Sequence, residues 1–527
     1  MSIGAGAGPG GTGSGGGGSP GRSGGGGGSG GAVAEGHPTS IRDWLEIGAD
    51  GVVTVYTGKV EVGQNIRTSL AQAVADELGV PLDAVCLVMA DTERTPFDPG
   101  TFGSRSTPGM APLLRRAAAA AREVLLDVAA ERWEANRDDL QVQGGRVVHP
   151  ETGQALGFGQ LAQGQALAEV VPDDVPTLPS AAWRLSGTSA MKVGAVALVT
   201  GAHRYASDVK RPGMRYGKML RPAGFGATLR SLDVRGAEAL PGVLVVQDSG
   251  ADLSGLSSAS GAGAALPGAA GLASVVGVVG PDEATATRAV AALRAQWDVP
   301  AQPAAGELYS YLRTHPADED IERRFAGGPQ HVAGSVEEGI AAADYTLRQT
   351  YIAAYIAHAP LETRVAVAEW GADGQLTVWT GTQRPFGVRR QLAERFGLPE
   401  EQVRVIVPDT GSGYGGKHYG DAAIEAAVLA RATGAPVRVA WTREEEFEWA
   451  YFRPAGVIDI RSGVRADGTL LAWEHHTFNA GPAGIRTPYE VPHQHVEYHV
   501  TRTPLRQGSY RALASTANHF ARECHMD

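Results

Sequence analysis

Several short segments of this sequence carry residue types able to hold a bulky anionic ligand. Gly411-Ser412-Gly413-Tyr414-Gly415-Gly416-Lys417-His418 joins an expected strand to an expected helix. Glycines let backbone approach a ligand closely, and a helix N-terminus favours an anion. Gly411, Gly416 and Lys417 also fall in the register of a nucleotide-binding P-loop. The last position of that motif needs Ser or Thr to hold magnesium, and here it is His418, which disfavours triphosphatase chemistry. Three readings stand at this point: an anion cradle, a P-loop-like nucleotide site, and a structural glycine turn. Gly103-Ser104-Arg105-Ser106 is a second candidate cradle, where hydroxyls, N–H groups and a helix dipole converge; its plain alternative is an N-cap.

Two glutamines stand just ahead of helices. Gln64 lies in Glu61-Val62-Gly63-Gln64-Asn65 and Gln383 in Thr382-Gln383-Arg384-Pro385. A side-chain amide donates and accepts, so it can grip a ring or an oxo group without adding charge. Arg511, in Gln507-Gly508-Ser509-Tyr510-Arg511-Ala512, could bind a carboxylate or a substrate oxygen, or form a surface salt bridge. His358 and Glu362, in a turn with Pro360, read as structural when taken alone.

An internal repeat positions these segments. Residues 49–92 run Ala49-Asp50-Gly51, a strand Val52–Thr57, a loop to Asn65, a helix Thr68–Leu78, Gly79-Val80-Pro81, a strand Ala84–Met89 and Asp91-Thr92. Residues 372–410 repeat the order: Ala372-Asp373-Gly374, strand Leu376–Thr380, a loop to Arg384, helix Phe386–Phe396, Gly397-Leu398-Pro399, strand Val403–Val407 and Asp409-Thr410. Two copies of one unit facing a shared site is the reading drawn from it. Each copy places one glutamine before its helix.

The remaining sequence predicts a long Ala-rich helix, Pro112 to Trp133, and a hairpin at Gly144-Gly145. A compact α+β module follows from about Gly201, with a helix Asp282–Trp297, and a helix Asp421–Thr433 closes the glycine loop. A hairpin at Ala466-Asp467-Gly468 precedes a final helix over 517–527. The fold class is α+β. The expected divisions are a Gly/Ser-rich tail over 1–37, a segment over 38–195, the small module over 196–305, a connector over 306–340 and a last unit over 341–527.

Composition bounds the function. The 527 residues carry a net charge of −11, which argues against a nucleic-acid surface as the main business. Cys86 and Cys524 are the two cysteines, too few and too far apart for an iron–sulfur cluster within the chain. No run of about 18 apolar residues suggests a membrane span. No apolar signal region follows the N-terminus, so a cytoplasmic location is expected, with periplasmic export alongside a partner left open.

As a set, these segments resemble the xanthine dehydrogenase and aldehyde oxidase superfamily, in its isoquinoline and nicotinate oxidoreductase branch. The matching pieces are Gly58 to Gln64, Gly103-Ser104-Arg105-Ser106, Arg204 to Val209 with Arg221-Pro222, His358 to Glu362, Thr382-Gln383, Gly411 to Lys417 and Tyr510-Arg511-Ala512. The resemblance implies molybdenum-cofactor-binding domains built from β-α-β units around a small α/β hammerhead module. It also implies a molybdenum pyranopterin, commonly in the cytosine dinucleotide form. Gln383 would sit by an oxo ligand of the metal; Tyr414 and Gly415, with Gly413 and Gly416, would line the metal site. Gly63, Gln64, Gly103, Ser104 and Ser106 would hold the pterin and its diphosphate, and Arg511 would help place the substrate.

The implied reaction hydroxylates an N-heteroaromatic compound or an aldehyde with oxygen from water. Electrons would leave through [2Fe–2S] clusters on a small partner subunit, toward a cytochrome or other acceptor. Two departures stand out. The family's general-base glutamate lies in a Gly-x-Gly-Glu segment, and none follows Arg511 in these residues. Asn65 stands where the family usually has Gly, and a side chain there would crowd the loop. A non-catalytic remnant that binds only cofactor or partner is the alternative to a fragment of the enzyme subunit.

Overall fold

The computed structural model describes residues 39–162, 167, 170–248 and 275–527. The expected tail over 1–37 and the Gly/Ala/Ser-rich loop over 250–271 lie outside the described residues.

Both repeats fold as expected. The first has strand Val53–Thr57, helix Ile66–Leu78 and strand Val85–Met89; the second has strand Leu376–Thr380, helix Pro385–Phe396 and strand Val403–Ile406. Within each copy the two strands run parallel, with Val53 opposite Val85 and Leu376 opposite Val403. Each helix stops at a left-handed glycine, Gly79 at φ 59° and Gly397 at φ 66°. Only a residue without Cβ adopts that conformation freely, so each glycine ends its helix at the same point of the repeat.

The copies meet where their second strands end. Asp91 bridges Ile406 in antiparallel sense, and Thr92 exchanges two bonds with Val405, N to O at 3.0 Å and Oγ1 from N at 2.9 Å. The terminal aspartate of each copy then takes an arginine from the other. Asp91 accepts Arg404 at 3.0 and 2.7 Å, and Asp409 accepts Arg67 at 2.6 Å. Main-chain pairing and reciprocal ion pairs thus fix the two loops side by side.

The second copy belongs to a seven-stranded sheet ordered Val403–Ile406, Leu376–Thr380, Val365–Trp370, Val437–Ala440, Arg215–Met219, Val275–Gly280, Leu244–Asp248. This sheet crosses the expected division near residue 305, because Val437–Ala440 pairs in parallel with Arg215–Met219. Helix Asp421–Thr433 packs on it through Ala422, Ala423, Ala426, Ala427 and Leu429. Gly217 and Gly277 lie beneath Leu429; a Cβ on either would come within 2.4 or 3.0 Å of its Cδ atoms. Their small size sets the helix-to-sheet distance.

Two expectations need correction. The helix from Asp282 ends at Ala292, and Arg294–Asp298 becomes a strand antiparallel to Thr228–Asp233. Leu293 is extended at φ −65°, ψ 144°, and burial then alternates through Trp297, the period of a strand. The connector over 306–340 holds helices Leu308–Thr314, Glu319–Arg324 and Val336–Ala341 and a strand Gly328–Ala333. That strand carries Pro329 at the edge of a sheet, where a missing N–H is tolerated. The sheet has five strands, ordered Gly328–Ala333, His493–His499, Leu470–Phe478, Gly456–Val464, Tyr345–Ala353. The final helix, Ser515–Met526, places Ala517 and Ala521 in the core beneath it. Among the described residues no helix is long and apolar enough to cross a membrane.

Candidate functional site

Gln383 stands at the centre of a hydrogen-bonded knot and is 5% exposed. Its Oε1 accepts from the backbone N–H of Gly415 at 3.0 Å and of Lys417 at 3.4 Å. Its Nε2 donates to the Thr101 carbonyl at 2.9 Å, and the Thr101 N–H donates to the Gln383 carbonyl at 2.8 Å. Thr101 Oγ1 in turn accepts from Val60 N–H at 2.8 Å. The glycine turn closes tightly on this amide. A Cβ on Gly413 would lie 2.6 Å from Gln383 Oε1, and one on Gly416 would lie 2.6 Å from His358 Cγ. Tyr414 is left-handed at φ 56° and Gly415 at φ 93°.

The two glutamines are brought to one region but are not equivalent. Gln64 is exposed, and its amide folds back on its own loop, donating to Val60 O at 2.8 Å and accepting from Val62 N at 2.7 Å. The link between them runs Gln64, Val60, Thr101, Gln383. The expectation of matched glutamines therefore holds for the shared region and fails for the side-chain role. The first loop has more residues between strand and helix, so Gln64 stabilises the loop itself. Glu61 does the same from within. Its carboxylate accepts from Gly63 and Asn65 N–H at 2.9 and 3.0 Å and from Arg67 N–H at 3.0 Å. Asn65 is left-handed at φ 67°, a conformation that asparagine tolerates in place of glycine.

The P-loop reading fails on geometry. Lys417 lies four positions before the helix that begins at Asp421. Its ammonium is 1% exposed, 3.4 Å from Glu362 Oε2, and burial pushes it down to about 8. Six of the turn's eight N–H groups are engaged within the chain. Gly411 donates to Glu362, Ser412 to Thr410, Gly415 and Lys417 to Gln383, Gly416 to Gly413 and His418 to the Tyr451 hydroxyl. Among the described residues nothing accepts from the Gly413 or Tyr414 N–H, but a triphosphate would find neither a free lysine here nor a Ser or Thr after it to hold magnesium.

Glu362, read from sequence as structural, is a hub. Besides Gly411 and Lys417 it accepts from Ser207 N–H at 2.9 Å. Arg364 clamps the other side of the turn through Glu446 at 2.5 Å and the Gly416 carbonyl. His358 Nε2 lies 2.7 Å from the Ser509 carbonyl. No local signal marks Thr101, Arg364 or Tyr451, since their partners lie far along the chain.

Burial holds the imidazoles of this knot neutral, with the Arg364 charge acting the same way: His358 is pushed down to about 4 and His418 to about 3, from an ordinary 6.5. The unfolded imidazoles take up protons at higher pH than the folded ones. Their contribution to stability is complete above about 6.5 and lost as pH falls through about 4 for His358 and about 3 for His418. For His358 alone the loss is on the order of 3 kcal/mol. Urea midpoints should fall from pH 7 to pH 4.5, and less steeply in His358→Gln. Equal slopes for the two proteins would rule out this role.

The other expected residues fall around the knot. Arg511 is exposed; its N–H donates to the Tyr414 carbonyl at 2.8 Å and its guanidinium lies 5.8 Å from the Tyr414 ring centre. Gly103 and Ser104 are left-handed, at φ 66° and 57°, in the turn after Thr101. Ser106 opens a π-helical turn, Ser106–Met110, that runs into helix Ala111–Trp133. Neither serine caps this helix. Met110 holds the N-cap position with no side-chain bond, which removes the plain N-cap reading.

Two molybdopterin cofactor-binding domain models match the chain, over residues 317–527 and 11–209. A nicotinate dehydrogenase subunit of Pseudomonas putida is 31% identical over 94% of this chain and 42% of its own length. The beta subunit of isoquinoline 1-oxidoreductase from Brevundimonas diminuta is 27% identical over 94% of this chain and 69% of its own. Among solved structures, quinoline 2-oxidoreductase from Pseudomonas putida 86 aligns with a TM-score of 0.53 and 27% identity, covering 64% of this chain and 47% of that one. The chain thus spans less than half the length of the first of these relatives. The matched domains, the repeated units and the glycine turn closed on Gln383 together show that this chain belongs to the xanthine dehydrogenase/aldehyde oxidase family, as a molybdopterin-binding subunit.

Proposed function

We propose that the chain holds a molybdenum pyranopterin in its cytosine dinucleotide form beside Gln383. In this reading it serves, with a [2Fe–2S] partner subunit, to hydroxylate an N-heteroaromatic compound or an aldehyde using water as the oxygen source. The supporting observation is the Gln383 amide. Of its two N–H bonds, one goes to Thr101 O, and among the described residues the other has no acceptor. A buried donor of this kind calls for an acceptor from outside the chain.

The loops fit such a group. Among the described residues nothing accepts from the N–H groups of Gly103, Ser104 or Ser106. Gly63 and Gly103 face open space, with nothing within 4 Å of a built Cβ. Free amides at the start of a helix suit a diphosphate. Gly103, Ser104 and Ser106 would hold that end and Gly63 and Gln64 would form its rim. Tyr414, Gly415 and Gly416 would line the inner end. When bound, the cofactor supplies Lewis acidity and a sink for electrons. The chain's own residues orient and exclude. Gln383 donates one uncharged hydrogen bond, Arg511 and the exposed Tyr414 ring guide a polar aromatic substrate, and neutral His358 adds no charge to the turn.

The test is analytical. Purified protein, coexpressed with its small subunit, should carry molybdenum near one equivalent and release CMP on acid treatment. Absence of molybdenum after expression in a host that makes the cofactor would overturn the reading. Molybdenum without CMP would overturn the dinucleotide form.

A further inference from the structure

The five-stranded sheet carries a second cluster that the cofactor site does not use. Leu470–Phe478 and His493–His499 pair in parallel, with Glu474 opposite His495, His476 opposite Glu497 and Phe478 opposite His499. Alternate residues of a strand share a face, so all six stand on one side. Trp473, His475, Val496 and Tyr498 fill the opposite, core side. The cluster is half-buried.

Its polar atoms converge. His476 Nδ1 lies 3.0 Å from His499 Nε2 and 3.8 Å from Glu497 Oε2. His499 Nδ1 lies 3.9 Å from Glu497 Oε1, and His495 Nε2 lies 3.1 Å from Glu497 Oε2. In the triplet His476, Glu497, His499 the ligand atoms all fall within 4.8 Å of one another, and a second triplet, Glu474, His476, His495, shares His476. Ligands about 2.0–2.1 Å from a tetrahedral zinc stand roughly 3.3 Å apart. Small side-chain rotations therefore suffice to close the site.

The charges favour the same conclusion. Among the described residues no Lys or Arg contacts Glu497, whose ion-pair partners are His476, His495 and His499. Glu474, by contrast, is paired with Arg461 at 2.8 Å. A carboxylate ringed by imidazoles lacks a permanent cation, and imidazole nitrogen with one carboxylate selects zinc-like ions over magnesium or calcium. The stacked Phe478 ring, 4.4 Å from His499, holds that imidazole in place.

We propose that His476, Glu497 and His499, with His495 alongside, form a binding site for one divalent transition-metal ion of the zinc type, separate from the cofactor site. The test uses untagged, chelator-treated full chain and Zn²⁺ in competition with a chromophoric chelator. One equivalent should bind, and His476→Gln and His499→Gln should each weaken it by more than the roughly 10–100-fold that outer-shell changes cost. His315→Gln should bind as the wild type does. Co²⁺ bound to the wild type should give the intense visible bands of four-coordinate geometry, which needs no variant to fold. Molybdenum content should be unchanged in the variants, so failure here is distinct from failure of the cofactor assignment. Wild-type affinity no tighter than that of His476→Gln, or Co²⁺ bands no stronger than those of the aqueous ion, would overturn the site.

Discussion

Glu446→Ala lowers the unfolding free energy by about 3–5 kcal/mol, the range for removing one partner of a buried ion pair. Glu446 is 2% exposed and Arg364 4%. Both carboxylate oxygens are engaged at 2.5 Å, one by the Arg364 N–H and one by its guanidinium. Asp421, with Oδ2 at 3.4 Å from Arg364 Nε, would be left as the nearest counter-charge, and its Oδ1 is already taken by Arg506 at 3.0 Å. The guanidinium also stands over the Trp441 and Tyr451 rings, 5.2 and 5.5 Å from their centres, so it cannot escape to water without opening the core. Chemical denaturation followed by tryptophan fluorescence measures the loss. A change under about 1 kcal/mol, the median worth of an exposed pair, would mean that the clamp on Gly416 is not built as described. Glu446→Gln, which keeps one acceptor oxygen, should lose less.

Gln383→Leu removes molybdenum from the purified protein to below about a tenth of the wild-type content and destabilises the fold at the same time. The substitution leaves Gly415 N–H, Lys417 N–H and the Thr101 carbonyl without their partner. Each buried group left unpaired costs about 1–3 kcal/mol. Gln383→Glu separates the two effects. A carboxylate keeps the acceptor for Gly415 and Lys417 but offers no donor and adds a negative charge. Unfolding should then be nearer the wild type while molybdenum content still falls. Full molybdenum loading in Gln383→Glu would show that the free amide hydrogen is not what the cofactor meets.

Much of the fold was legible because its signals are local. The strand period, the helix-stopping Gly79 and Gly397, and the prolines after them repeat within about forty residues of each other in both copies. Helix Asp421–Thr433 matches its expected bounds, since an acidic start, an alanine-rich body and Gly434 mark it without help from the rest of the chain. The segment Asp282–Trp297 misled for the same reason. Its composition suits a helix throughout, and only the partner strand Thr228–Asp233 turns its last residues into an edge. A partner more than fifty residues away leaves no trace in a local window.

The site divides along the same line. Sequence alone determined the duplicated strand–loop–helix–strand unit and the glycines that end its helices. These follow from backbone conformation and hydrophobic period, which neighbouring residues decide. What each side chain does was settled only by tertiary contacts. Gln383 meets Thr101 across 282 positions, Lys417 is buried against Glu362, and Gln64 turns back on its own loop. A polar group's role depends on which partner reaches it once water is excluded, and that partner is chosen by the packing of distant segments.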